Sequence, residues 1–251
     1  MSLLSVVTVS VRPEKTSAYE DHVHSLAYKA KSARESFEWA AREEITGNLG
    51  TFHFVSEAAD WAAFAGREAL PVFARRVLGE SRGSQFLDGV NSCVTSRTSA
   101  IGRERLDLSQ PPKAGAEHTA MNMVTLLQVR AGGEEAGEEL IRKVAQALPK
   151  TNDPRRFLTY QAFTGNPRLY WIVSPLAELA DLDRMLSPQE LLQKAFGAEG
   201  AKIHRAGLDA VERMERRITV LRPELSNASW LGKVSARAFE HGIAARPHAT
   251  H

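Results

Sequence analysis

Two stretches of this chain, 118 residues apart, carry the same order of residue types. Ile45-Thr46-Gly47-Asn48 precedes a strand-like run at 51–56, and Phe163-Thr164-Gly165-Asn166 precedes a similar run at 169–174. The same offset aligns Val11-Arg12 with Val129-Arg130, Gly79 with Gly197, and Gly89 with Gly207. Because chance rarely produces several matches at one offset and in one order, the sequence predicts a tandem duplication.

Each predicted copy contains the same succession of strands and helices, distinguished by apolar runs of strand length and by apolar residues at helical spacing. In the first copy we predict strands at 3–12, 37–45, 51–56 and 100–106 and helices at 14–33, 58–78 and 84–96. In the second copy we predict strands at 123–130, 157–163, 169–174 and 218–222 and helices at 134–148, 177–196 and 201–216. The helix at 177–196 is expected to break at Ser187-Pro188, because proline can begin a new helical turn. The resulting order is βαββαβ, with one additional helix before the last strand.

These elements divide the chain into four parts. We predict a first ferredoxin-like repeat at 1–109, a linker at 110–120, a second ferredoxin-like repeat at 121–226, and a C-terminal helix and tail at 227–251. Proline and glycine in the linker disfavour both helix and strand. In the tail, Ser229 is a candidate N-cap, and Trp230, Val234 and Ala238 recur every four residues, which predicts an apolar stripe on a helix.

The distribution of charge argues against a nucleic-acid partner. The 251 residues carry a net charge of +2, and the first 112 hold 13 basic and 14 acidic side chains, whereas nucleic-acid binders usually present a clustered basic face.

No run approaches the roughly 18 to 20 apolar residues of a membrane span, and the start lacks a basic leader, so we expect a cytoplasmic protein with no membrane partner. Cys93, the only cysteine, excludes an intrachain disulfide and a cysteine-rich zinc site and is expected to be structural.

A βαββαβ unit carries its helices on one face of its sheet and leaves the other face bare. Two tandem units can cover their bare faces by facing each other. In this arrangement the chain resembles the dimeric α+β barrel superfamily over residues 3–226, in a fused two-repeat form. The resemblance implies an α+β fold in which two antiparallel sheets form one barrel. The superfamily includes antibiotic-biosynthesis monooxygenases, haem-degrading monooxygenases and members without known activity, so fold alone does not imply function.

The predicted hairpins suggest which side chains face the space between the sheets. If the 46–50 loop places Glu43 opposite His53, strand alternation puts alternate residues on one side. In the first copy these are Trp39, Ala41, Glu43, Ile45, Thr51, His53 and Val55. Their counterparts in the second copy are Phe157, Thr159, Gln161, Phe163, Leu169, Trp171 and Val173.

This lining combines apolar walls with a few polar groups, as a small-molecule pocket requires. His53 is a candidate general base, and Glu43 beside it would orient the imidazole and raise its basicity. Trp39, Thr159, Gln161 and Trp171 are candidate ligand contacts. The alternative interpretation is that Glu43 and His53 form only a solvated surface pair on an edge strand.

No cofactor or metal is predicted. The sequence contains no GxGxxG, Walker, HExxH or nucleophile-elbow motif. His22 and His24 are two residues apart on one helix and point in different directions, so they are unsuited to joint metal ligation. Haem is not indicated, because the first strand has no central asparagine and the helix from Ala58 has no histidine.

Two functions fit these observations. The first is a small-molecule protein, and within that class a cofactor-independent monooxygenase-like enzyme, whose partner is a small apolar or aromatic ligand. The second is a noncatalytic binding or assembly scaffold with a packed interior. An open pocket lined by Trp39, His53 and Trp171 would favour the first, and a filled interior the second. Neither excludes a homodimer.

Overall fold

The computed structural model describes residues 2–112 and 119–234, which contain eight β-strands and seven α-helices. The strands are β1 (Leu3–Val11), β2 (Ala40–Glu44), β3 (Thr51–Ala58), β4 (Val94–Glu104), β5 (Met121–Val129), β6 (Leu158–Ala162), β7 (Leu169–Leu176) and β8 (Val211–Leu221). The helices are α1 (Thr16–Ser32), α2 (Trp61–Ala65), α3 (Leu70–Leu78), α4 (Glu80–Cys93), α5 (Glu134–Lys150), α6 (Pro188–Phe196) and α7 (Ala198–Ala210).

All eight strands form one closed antiparallel barrel, in the order β1-β3-β2-β8-β5-β7-β6-β4. Each half contributes four neighbouring strands, β4-β1-β3-β2 from the first and β8-β5-β7-β6 from the second. The helices cover the outside: Val9 and Phe52 point outward and pack with Tyr19 of α1 and Phe73 of α3. The second half builds an equivalent layer from α5, α6 and α7. The fold is therefore mixed α/β, with two helix-facing cores and a separate barrel interior.

The two halves place their elements at matching positions along the chain. β5, α5, β6 and β7 each begin 118 residues after β1, α1, β2 and β3. The strand register also recurs, since Leu3 lies opposite Ala58 and Met121 lies opposite Leu176. Each half therefore follows the predicted order, with its additional helix (α4 or α7) placed before the last strand.

The last strand of each half is longer than predicted. β4 begins at Val94 and β8 at Val211, where we expected helix as far as residues 96 and 216. Their polar and charged sequences favoured a helix, but pairing with β1 and β5 holds both segments extended. The helix predicted at 58–78 is also wrong in part. It consists of α2 and α3, and Pro71 lies in the first turn of α3, where a missing backbone N–H costs nothing.

The predicted break before α6 is confirmed. Ser187 is the N-cap: its hydroxyl accepts from the Glu190 backbone N–H at 3.2 Å, and the Glu190 carboxylate accepts from the Ser187 backbone N–H at 2.9 Å. The predicted C-terminal helix begins instead as a 3-10 turn at Ser229–Lys233. The remainder of that prediction, at 235–251, and the linker residues 113–118 lie outside the described residues.

Two short seams close the barrel between the halves. β2 pairs with β8 over three residue pairs, from Arg42↔Leu221 to Glu44↔Thr219. β4 pairs with β6 over three, from Gly102↔Ala162 to Glu104↔Tyr160. Inside the first half, by contrast, β1 forms eight pairs with β3 and nine with β4. The backbone ladder is thus continuous within each half and brief between the halves.

The segments that follow β4 and β8 cross to the opposite half. Arg105, after β4, donates to Glu138 of α5 at 2.7 Å. Arg222, after β8, donates to Glu20 of α1 at 2.9 Å. Two isolated bridges run alongside these ion pairs, Gln110↔Phe157 and Trp39↔Asn227. Each half is therefore held by the terminal segment of the other.

Candidate functional site

The barrel encloses a cavity of about 710 Å³. Its wall is formed by alternate residues of all eight strands, as expected where successive side chains point to opposite faces. The apolar part of this wall includes Leu4, Val6, Val55, Val124, Leu126, Leu158, Tyr160, Leu169, Trp171 and Val173. Its polar part includes Thr8, Arg42, His53, Asn122, Arg217 and Thr219. A volume of this size is in the range of sites that hold a small molecule.

The register of the first hairpin differs by one residue from the prediction. Arg42 lies opposite His53, and Glu43 lies opposite Phe52. The connection runs from Ile45 to Gly50. The sequence pattern did not determine whether this turn contains an odd or an even number of residues, and that number sets the register. A one-residue slip moves every β2 side chain to the other face of the sheet.

The predicted placement of Glu43 in the cavity is therefore wrong. Its carboxylate points outward and accepts from Arg222 on the helix-facing side of the barrel. Ala40, Arg42 and Glu44 occupy the face that we had assigned to Trp39, Ala41 and Glu43.

The same correction applies to β6 in the second half. Tyr160 lies opposite Trp171, so Leu158 and Tyr160 face the cavity. Thr159 is fully buried on the outer face, where its hydroxyl donates to the Leu108 carbonyl at 2.8 Å. Gln161 also lies outside and accepts from Arg105 at 2.8 Å. Neither residue meets the cavity that it was predicted to line.

The two predicted tryptophans both reach the cavity, in different ways. Trp39 belongs mainly to the helix-facing core, where its ring packs edge-on against Phe73 and its indole N–H donates to the Leu225 carbonyl at 2.9 Å, but it also borders the cavity. Trp171 lies fully on the inner face. Its ring fits against Gly102 of β4 so closely that an added Cβ would lie 2.5 Å from its Cζ3 atom.

His53 is held at both ring nitrogens. Its Nε2 lies 2.8 Å from Glu44 Oε1, and its Nδ1 lies 3.0 Å from Thr8 Oγ1. Because a carboxylate can only accept, Nε2 carries a hydrogen, and in the neutral ring Nδ1 then accepts the hydroxyl hydrogen of Thr8. The basic nitrogen is thereby directed toward Thr8 on the cavity wall. Sequence reasoning identified the histidine but assigned it the wrong carboxylate.

Glu44 is the buried centre of this network, with a side chain that is 0% exposed against 15% for His53. Burial alone would raise the pKa of its carboxyl, but hydrogen bonds from His53, the Asn48 backbone and Arg217 outweigh burial and lower that pKa. Arg217 donates to Glu44 at 2.6 Å and to Glu215 at 2.8 Å. Glu44 therefore stays ionised and holds the His53 ring in one orientation.

Arg42 is a buried arginine on the cavity wall, and the sequence prediction missed it. The residue is 7% exposed, and its Nη2 donates to the Thr119 carbonyl at 2.9 Å. Burial lowers the pKa of its guanidinium to about 10. Alternation along β2 would have placed Arg42 inward once the correct hairpin register was known.

The inner faces of the two halves differ in chemistry. The first half contributes Thr8, Arg42, Glu44 and His53. At the positions 118 residues later, the second half has Leu126, Tyr160, Ala162 and Trp171. The structure thus brings one polar network to one side of the cavity and faces it with an apolar wall.

Sequence comparisons find no matching family model and no matching curated protein. Solved structures do match over most of the chain. A candidate monooxygenase from Fusobacterium nucleatum superposes with a TM-score of 0.54 at 14% identity, over 88% of this chain and 92% of its own. An anthrone oxidase-like protein gives 0.54 at 13% identity, over 92% and 95%. A variant chlorite dismutase from Candidatus Nitrospira defluvii gives 0.50 at 10% identity, over 89% and 92%.

These three solved structures share the fold of this chain. At these identities the likeness concerns fold alone, which agrees with the resemblance seen in the sequence. Among the described residues, the barrel contains no group of three or more His, Cys, Asp or Glu side chains placed to hold a metal ion. Nor does the described part of the chain contain a helix long and apolar enough to cross a membrane.

Proposed function

We propose that this chain is a cofactor-independent oxygenase that binds an apolar or aromatic compound in the barrel cavity. The observation that carries the proposal is the position of His53, oriented by Glu44 at the wall of a cavity of about 710 Å³. Solved neighbours named as a candidate monooxygenase and as anthrone oxidase-like share the fold and support the same reaction class.

His53 is the proposed general base. Its Nδ1 takes a proton from an acidic C–H or O–H of the ligand, either directly or through the Thr8 hydroxyl that lies 3.0 Å away. The ionised Glu44 carboxylate, 2.8 Å from Nε2, stabilises the imidazolium that results. Glu44 is a positioning residue in this scheme, because it acts through the histidine and not on the ligand.

The reaction balances with dioxygen as the only co-reactant. For a methylene between two aromatic rings, the base removes one proton and leaves a carbanion. Two electrons of the carbanion form a C–O bond to O₂, which is reduced to a bound peroxide and then protonated. Loss of the second methylene proton with cleavage of the O–O bond releases water and leaves a ketone. The sum is R₂CH₂ + O₂ → R₂C=O + H₂O.

The apolar wall serves binding and the exclusion of water. Trp171 and Tyr160 face the polar network across the cavity and offer flat surfaces to a ring system. Removing water from the site strengthens the interaction of a developing negative charge with the groups around it. The cavity also argues against the packed-interior form of the scaffold function, because side chains do not fill the barrel. Noncatalytic ligand binding is the remaining alternative.

We further propose that the barrel arose by tandem duplication of a ferredoxin-like repeat, at 1–109 and 121–226, joined by the linker at 110–120. The offset of 118 residues between equivalent elements supports this proposal. The expected homodimer and the cytoplasmic location stay predictions. Light scattering on the purified protein would measure the first.

Anthrone, which has one activated methylene between two aromatic rings, is a suitable probe of the activity. We expect the protein to accelerate its conversion to anthraquinone with uptake of one O₂ per turnover, in buffer treated with chelator. His53→Gln should lower kcat by about 10²- to 10⁴-fold, the usual contribution of a general base. His24→Gln, which changes an exposed histidine on α1, is the matched control and should keep the wild-type rate.

Oxygen uptake and product absorbance report the rates. Wild-type protein that gives no rate above the spontaneous reaction would contradict the oxygenase proposal for this substrate class. Equal rates in wild type and His53→Gln would contradict the assigned base. A ligand that binds tightly but is never oxidised would favour the noncatalytic alternative.

A further inference from the structure

Arg42 is a buried cation whose charge is not neutralised by the described residues. Its Nη2 donates to the Thr119 carbonyl, but its Nη1 is buried and has no hydrogen-bond partner among residues 2–112 and 119–234. No carboxylate in that part of the chain forms an ion pair with it. Leaving a guanidinium buried and unpaired is costly, and an apolar residue of similar size would stabilise such a site better.

The partly exposed guanidinium of Arg217, which also lies on the cavity wall, shows what a neutralised arginine looks like here. Arg217 donates one nitrogen to Glu44 and the other to Glu215, and those bonds outweigh burial and raise the pKa of its guanidinium. Arg42 differs in that burial lowers its pKa without any compensating acid. The contrast isolates Arg42 as a residue of the cavity wall with one buried donor that is not used.

A second unused donor lies next to it. Thr219 of β8 is 2% exposed, and its hydroxyl has no hydrogen-bond partner among the described residues. Thr219 lies opposite Glu44, and Glu44 is two residues along β2 from Arg42. The side chains of Thr219 and Arg42 therefore lie on the same inner face, diagonally across the β2–β8 seam. Both residues line the cavity. Two buried donors without acceptors, on the same face of one seam, match the needs of an anionic oxygen.

The ionised Glu44, which lies opposite Thr219, is already engaged by His53 and Arg217 and forms no ion pair with Arg42. Glu38 and Glu57, which also border the cavity, are exposed, and Glu104 is engaged by the Ser2 hydroxyl at 2.9 Å. The wall opposite Arg42 is apolar. The ligand that fits has an aromatic or aliphatic body and one negatively charged oxygen group at the Arg42 end.

We infer that Arg42 and Thr219 form a recognition site for a carboxylate carried by the ligand, so that the ligand of this barrel is an aromatic acid. The inference rests on the cavity being the ligand site, as in the proposed function. Because Arg42 lies directly opposite His53 on adjacent strands, the carboxylate is anchored beside the proposed base. Anchoring the acid group there orients the rest of the ring system toward Trp171.

The probes are 2-naphthoate and its neutral isostere 2-naphthamide, with binding measured by calorimetry at pH 7. Wild-type protein should prefer the acid by about 10- to 100-fold, the ratio that charge-assisted hydrogen bonds to a buried donor can supply. Arg42→Met should abolish the preference while leaving the amide affinity unchanged. Thr219→Val should reduce the preference and keep the fold, since the two side chains have the same shape.

Arg103→Met is the matched control. Arg103 also has a buried Nε without a partner in the described part of the chain, but it lies outside the cavity, over the ring of Phe163. It should keep the full preference. The melting temperature of ligand-free Arg42→Met should equal or exceed that of wild type, because an unpaired buried charge has been removed.

Each outcome of the binding measurements supports or overturns the carboxylate site. Equal affinities for acid and amide in wild type would overturn the inference and leave the proposed oxygenase untouched, since the cavity would still bind the ring. An unchanged preference in Thr219→Val and Arg42→Met would also overturn it. If Arg42→Met failed to fold, Arg42 would be structural, and Thr219→Val would decide the subsite alone. Failure of both compounds to bind would contradict the inference and the proposed ligand cavity together.

Discussion

The first half of the barrel presents Arg42, Glu44 and His53 on its inner face, joined by Arg217 of β8, whereas the second half presents an aromatic wall at the positions equivalent to Arg42 and His53. His53 and Trp171 occupy corresponding places on β3 and β7, and Arg42 and Tyr160 do so on β2 and β6. The outer faces, by contrast, remain similar, with matched helices and matched arginines after β4 and β8. The difference teaches that packing against helices constrains both halves alike, whereas the inner faces are free of that constraint and differ in chemistry.

The largest effect should come from removing the carboxylate at the centre of the polar half. Glu44→Ala leaves Arg217 and His53 without their shared acceptor, so we expect the free energy of unfolding to fall by about 3–5 kcal/mol, as for other broken buried pairs. Glu43→Ala, which changes the next residue on the outer face, should cost only about 1 kcal/mol. Urea denaturation measures both. Equal losses would mean that the inner network contributes no more than the outer one.

The apolar half should depend on its large side chain in a different way. Trp171→Ala enlarges an existing cavity and removes contacts with Gly102, and we expect a loss of about 2–4 kcal/mol. His53→Ala at the corresponding position should cost about 1–2 kcal/mol, the net value of its two hydrogen bonds. A stability loss in His53→Ala as large as in Trp171→Ala would contradict this division between packing and chemistry.

The close contact between Trp171 and Gly102 offers a finer test. Gly102→Ala places a Cβ 2.5 Å from the indole ring, so the ring must move into the cavity, at a cost of about 1–3 kcal/mol. In Trp171→Leu the same substitution should cost much less. A double-mutant cycle by thermal denaturation gives the coupling directly. Additive effects would show that the two residues do not constrain each other.

Acid should destabilise the polar half selectively. The pKa of Glu44 is lowered in the folded state, so its carboxylate contributes stability that is complete above the ordinary value of 4.5 and is lost as pH falls through the lower folded value. Wild type should therefore lose more stability than Glu44→Gln between about pH 6 and pH 3. Urea titrations at each pH measure the difference, and parallel curves for the two proteins would refute it.

The smallest losses of stability should come from substitutions at equivalent positions that have the same role in both halves. Arg105→Gln and Arg222→Gln each remove a partly buried arginine that joins the end of one half to a helix of the other. We expect similar losses of about 1 kcal/mol from the two substitutions. A marked inequality between them would show that the outer faces have diverged as well.

Much of the fold could be predicted because it depends on patterns that recur in both halves. The Thr-Gly-Asn turns, the apolar spacing of α1 and α5, and the offset of 118 residues all lie in the sequence. The early starts of β4 and β8 could not be predicted, since their charged residues are extended only through pairing with β1 and β5.

The site was predicted in part, and its errors have one physical origin. His53 and Trp171 lie on returning strands whose alternation is clear, and both face the cavity as expected. Glu43, Thr159 and Gln161 lie on β2 and β6, and their orientation depends on the length of a turn. A shift of one residue exchanged the inner and outer faces of these strands. The prediction therefore named Glu43 in place of Glu44 and did not place Arg42 on the cavity wall.

The two seams between the halves, with three residue pairs each, are where we expect the strands of this barrel to separate most easily. β1 and β5 are paired along both sides, whereas β2 and β8 share only three residue pairs. Amide hydrogens along the seams should exchange with solvent through local separation of these strands, long before those of β1 and β5, which require global unfolding. Separation of β2 from β8 would expose Arg42 and Glu44 while both helical layers remain folded. We expect a bulky ligand to enter along that seam, next to the charged groups of the cavity wall.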